Sequence, residues 1–114
     1  MTIQRSELDS RMSQTVVHGD TIYLAGQIGK GADVTAQTKT MLSEVDRLLV
    51  DAGSDKSKIL SATIWLANID TIGEMNAVWD AWIDPANPPA RACVESRMAT
   101  PDYLVEVMIT AAKS

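Results

Sequence analysis

The apolar positions of the chain alternate between two periods. In "SQTVVHGDTIYLAGQ" (Ser13–Gln27), Val and Ile/Tyr/Leu runs flank Gly19-Asp20. This predicts a β-hairpin closed by a two-residue turn of type II′, with glycine first. From Val34 to Ala52 the period lengthens, and Met41, Leu42, Val45, Leu48, Leu49 and Ala52 recur on one side of a helix. Asp33 or Thr35 can cap its start and Gly53 can end it. "ILSATIWLA" (Ile59–Ala67) predicts a strand with Leu60, Ala62, Ile64 and Leu66 on one side. Ser61, Thr63, Trp65 and Ala67 take the other. "DTIGEMNAVWDAWI" (Asp70–Ile83) predicts a second helix with Met75, Val78, Trp79, Trp82 and Ile83 as its stripe. Thr71 and Glu74 suit a capping box, and Asp84-Pro85 ends the helix. "PPARACVESRMATPDYLVEVMITAA" (Pro88–Ala112) predicts a last hairpin, and a short strand is a further candidate near Ile3.

The order β-β-α-β-α-β-β mixes strands and helices, which predicts an α+β domain: a mixed sheet with both helices on one face. The other face is then uncovered, with Trp65, Thr63, Cys93, Leu104 and Met108 among the side chains expected there. Such a face invites another copy, so a homo-oligomer is expected. The 114 residues suit a single domain, 1–114, and 46% hydrophobic content suits a packed core. No apolar run approaches the ~20 residues that span a bilayer. The polar N-terminus predicts no signal peptide, and the single cysteine rules out an internal disulfide, so a cytoplasmic location is expected. Net charge is −5, and lysine and arginine form no block, which argues against a nucleic-acid partner.

The charged residues of the last segment raise the question of chemistry. A turn over Met98–Pro101 would set Cys93 opposite Glu106 and Arg91 opposite Met108. Arg91 and Glu106 would then be diagonal neighbours on one face, about 7–8 Å apart at the backbone. A one-residue slip would separate them. Two readings share this geometry. The pair could bridge each other within the hairpin, which adds little stability once desolvation is counted. Alternatively, the arginine fork could hold a small carboxylate while the glutamate orients a water. His18 is the only histidine and cannot build a metal site alone. No histidine is expected beside Cys93, which reads as a small buried hydrophobe rather than a nucleophile.

"IYLAGQIG" (Ile22–Gly29), "MNAVWDAW" (Met75–Trp82), "PPARACVE" (Pro88–Glu95) and "VEVMITA" (Val105–Ala111) together resemble the RidA (YjgF) family of reactive-intermediate deaminases. The resemblance implies a chorismate-mutase-like fold and a homotrimer with clefts between subunits. It implies hydrolysis of 2-imino or 2-enamine acids, such as 2-aminoacrylate, to a 2-keto acid and ammonia, without metal or organic cofactor. Arg91 matches the arginine that grips the substrate carboxylate, and Glu106 the glutamate that orients water. Cys93 and Gly26 match positions that line the cleft, and Asn76 matches an asparagine of the second helix. The chain departs from many members at Met12 and Ala25, where a tyrosine and a serine hydroxyl are absent. This implies a sister subgroup with a more apolar wall. A protein that binds a keto or amino acid without turning it over is the alternative.

Overall fold

The computed structural model describes residues 1–114. A six-stranded sheet carries two helices on one face. The elements are β1 (Ile3–Leu8), β2 (Ser13–His18), β3 (Thr21–Leu24), α1 (Val34–Asp51), β4 (Ile59–Leu66), α2 (Ile72–Trp82), β5 (Ala90–Glu95) and β6 (Val105–Ala112). The strand order is β1-β2-β3-β6-β4-β5. The principal extents are 43 × 37 × 19 Å. The short dimension holds one helix layer and one sheet, so one broad face of the sheet has no cover of its own. No helix is long and apolar enough to cross a membrane.

Local signals explain most of this. His18 pairs with Thr21, so Gly19-Asp20 closes the first hairpin as expected. Asp33 begins α1 by accepting from the Ala36 amide at 2.8 Å, and Gly53 follows the helix end with φ of 85°. The α1 stripe of Met41, Leu42, Val45, Leu48 and Leu49 is buried against Ala62, Ile64 and Leu66 of β4 and Val105, Val107, Ile109 and Ala111 of β6.

Three expectations are corrected. The Thr71–Glu74 capping box does not form. The Thr71 hydroxyl instead donates to the Asn68 carbonyl at 2.6 Å, and Asn68 caps a short 3₁₀ turn, Ile69–Thr71, that leads into α2. In β4 a register shift between Ile59 and Ser61 puts Ile59 in the core and leaves Leu60 52% exposed. Strict alternation misses this because a bulge breaks the period.

The largest correction concerns the last two strands, which are not a hairpin. β5 runs parallel to β4, with Ala62 opposite Arg91 and Ile64 opposite Cys93. β6 lies on the other side of β4, antiparallel, with Trp65 opposite Glu106 and Thr63 opposite Met108. The cause is physical. α2 connects β4 to β5 as a crossover, and a β-α-β unit lays its strands parallel. β6 buries every second side chain and belongs in the middle of the sheet, whereas five of the six residues of β5 are exposed, which suits an edge.

Candidate functional site

Glu106 points to the uncovered face, because its neighbours Val105 and Val107 fill the core. Beside it the chain leaving β3 turns sharply. The Ala25 amide still donates to the Gln14 carbonyl at 2.9 Å, but Gln27 has moved across to pair with Val107 in both directions, at 2.7 and 3.0 Å. The Gln27 side chain is buried and donates to Gln14 Oε1 at 2.8 Å and to the Ala25 carbonyl at 3.0 Å, which locks the corner. Gly26 sits at that corner. A Cβ there would run into Glu106 Oε2. The carboxylate thus lies against bare backbone, half-buried and with no ion pair in the chain. Met108, Trp65 and Thr63 are its neighbours on the same face.

Arg91 and Cys93 occupy the helix side of the edge strand. The Arg91 guanidinium carbon stands 5.4 Å from the Trp79 ring centroid, over the indole, and makes no ion pair. Cys93 packs against the core, and so does Leu104, which corrects the expectation that both face outward. Burial pushes the Cys93 thiol above its ordinary range, with Arg91 opposing this in part. A protonated thiol is a poor nucleophile. Asn76 lies one turn before Trp79, and its buried Oδ1 has no hydrogen-bond partner. Glu95 is exposed and accepts from the Ile69 amide at 3.1 Å, which tethers β5 to the turn that leads into α2.

Arg91 and Glu106 are therefore not diagonal neighbours. They lie on opposite faces of the sheet with β4 between them, because the hairpin that would have joined them is absent. The structure makes two half-sites: Gly26 with Glu106 on the open face, and Arg91 with Cys93 near Trp79 at the edge. Two grooves on the chain, of about 730 and 770 Å³, are lined by other residues. The Arg91 half offers a planar cation for a carboxylate. The Glu106 half offers a base of unsatisfied hydrogen-bonding capacity.

Sequence reasoning missed Trp79 as a partner of Arg91, because two tryptophans at i and i+3 read as helix packing. It also missed the Gln14–Gln27 lock. The only local signal was two glutamines at the ends of the predicted hairpin.

Comparison with known proteins places these features in a family. The Ribonuc_L-PSP model, described as Endoribonuclease L-PSP, matches residues 2–113. A RutC family protein of Haemophilus ducreyi is 42% identical over 112 residues, covering 96% of both chains. The RutC family protein YoaB of Escherichia coli is 40% identical over 113 residues, covering 98% of this chain and 99% of its own. The crystal structure of a YjgF-family protein from Neisseria meningitidis superposes with a TM-score of 0.97 at 40% identity, covering 100% of this chain and 97% of that one. With nearly every residue matched, in sequence and in fold alike, the chain belongs to the Ribonuc_L-PSP family, which takes in the YjgF and RutC proteins.

Proposed function

We propose that the protein hydrolyses reactive 2-imino and 2-enamine acids, such as 2-aminoacrylate, to 2-keto acids and ammonia, in clefts between the subunits of a homotrimer. One observation carries this reading. The unpaired Arg91 and the unpaired Glu106 lie on opposite faces of one sheet, so only a second copy can bring such a cation and such a base together. The open face gives that copy a place to dock, with Met108 46% and Tyr23 50% exposed.

The chemistry follows from the groups. Arg91 of one subunit holds the substrate carboxylate by two hydrogen bonds and fixes the imine carbon. The enamine form first takes a proton on carbon and becomes the imine. Glu106 of the neighbouring subunit orients a water and accepts one of its protons as oxygen attacks carbon. The resulting amino-alcohol loses its nitrogen as ammonia, which carries away the proton, and the carbonyl forms. Backbone at Gly26 and Cys93 lines the cleft, and Asn76, whose buried Oδ1 has no partner, lies one turn before Trp79 on α2. No step calls for a metal or an organic cofactor.

Two other readings have a specific basis. Met12 and Ala25 supply no hydroxyl to the cleft, which favours a protein that binds a keto or amino acid without turning it over. The family model's description favours RNA cleavage, but a chain of net charge −5 is poorly suited to phosphate backbones. The deciding experiment generates an imine with an amino-acid oxidase and follows its decay with wild type, Arg91→Ala and Glu106→Gln, alongside pyruvate calorimetry and an RNA digest. Faster decay with wild type only, and pyruvate binding retained in Glu106→Gln, support the hydrolase. Binding without faster decay supports a sensor. RNA loss that persists in both variants would displace both.

A further inference from the structure

Arg91 lacks the partner that an arginine on an edge strand ordinarily finds. No carboxylate pairs with it, and its one close neighbour of complementary character is the face of Trp79, 5.4 Å from the guanidinium carbon. An indole face attracts a cation and covers one side of the guanidinium plane while leaving its N–H edges free. An aspartate or glutamate in the same place would occupy those edges and compete with an incoming carboxylate. Trp79 is itself held. It is only 5% exposed, and its ring lies 5.4 Å from that of Trp82 at an interplanar angle of 56°. Trp82 in turn donates its indole N–H to Asp46 Oδ2 at 2.9 Å, and Lys56 Nζ stands 5.4 Å from its ring centroid. A continuous line of contacts thus runs from Asp46 on α1 through both tryptophans of α2 to the guanidinium on β5.

We propose that Trp79 is the positioning residue of Arg91, and that Trp82 and Asp46 fix Trp79, so that the helix layer sets the affinity for the substrate carboxylate. The inference rests on Arg91 being the carboxylate grip. It adds a consequence of its own. The carboxylate is common to every 2-imino acid, so loosening the line raises KM by the same factor for small and large substrates, with kcat retained.

The test uses the full chain, with pyruvate as the calorimetric probe and imines of two sizes as substrates. Arg91→Ala is the check on the underlying reading, and pyruvate binding unchanged in that variant overturns the reading itself. Trp79→Leu is expected to raise Kd and both KM values about tenfold, the range open to a partly desolvated cation–π contact, with kcat within about twofold. Trp79→Phe retains a ring and restores most of the affinity. Asp46→Ala removes the acceptor far from the cleft and raises Kd about threefold, the loss of one modest hydrogen bond passed along the line. The proposal is overturned if Arg91→Ala abolishes binding while Trp79→Leu binds as wild type does. It is equally overturned if Trp79→Leu lowers kcat at unchanged KM, the mark of a smaller folded fraction. Should Trp79→Leu fail to fold, wild-type affinity in both Trp79→Phe and Asp46→Ala overturns it.

Discussion

Gly26 and Glu106 fit together as a missing side chain and the side chain that fills its space. The carboxylate occupies the space a Cβ would need, and the carboxylate is the flexible end of its residue. Gly26→Ala is therefore expected to leave the fold intact and displace the base. Imine hydrolysis should fall by about 10²-fold or more, the usual scale for losing a general base, while the melting temperature stays close to wild type. Stopped-flow imine decay and calorimetry on the same preparation check this, and full activity in the variant would contradict the role given to Glu106. At this scale the sequence was informative about identity and uninformative about company. Arg91, Glu106, Cys93 and Gly26 could all be singled out from residue type and motif. Their neighbours could not, since the Trp79–Arg91 stack and the Gly26–Glu106 contact join residues twelve or more positions apart through the fold.

The periodic signals of whole elements were legible where one face of a helix or strand meets the core, as in α1 and β2–β3. They failed where a choice depended on the rest of the sheet. β5 and β6 are adjacent in sequence with a turn-rich segment between them, which is all a hairpin signature contains. Their separation depends on α2 acting as a crossover and on β6 being the more apolar strand. β1 shows a further dependence. All six of its residues are exposed, and it lies at the sheet edge. Glu7 adopts the left-handed region, with φ of 51°, and is gripped by Arg47 of α1 through bonds of 2.9 and 3.2 Å. Those bonds hold the Glu7 carboxyl below its ordinary value of 4.5. A depressed carboxyl stabilises the fold above its unfolded pKa, and that contribution is lost as pH falls through the lower folded value. The protection of β1 amides, measured against their intrinsic exchange rates at each pH, should therefore fall below about pH 4.5 while β6 stays protected. Arg47→Ala should show the faster β1 exchange already at neutral pH. Identical β1 profiles for the two proteins would mean the clip contributes nothing.

The molecule as a whole is a slab with one face of the sheet uncovered, the face on which the proposed function docks another copy. Met108 lies on that face next to the Glu106 half-site, so a charge there should prevent docking and catalysis together. Met108→Glu is expected to sediment as a monomer, to keep its helical circular dichroism, and to lose hydrolysis. A monomer of wild-type activity would show that a single chain suffices.

The central place of β6 also constrains how the chain can be made. β6 is translated after both of the strands it joins, β3 and β4, and without it β1–β3 and β4–β5 are two small sheets with no hydrogen bonds between them. Nothing translated before Val105 can close the core, so this domain folds only once β6 has emerged. A chain stopped at Tyr103 should therefore remain protease-sensitive, with the helices unable to hold the two half-sheets together.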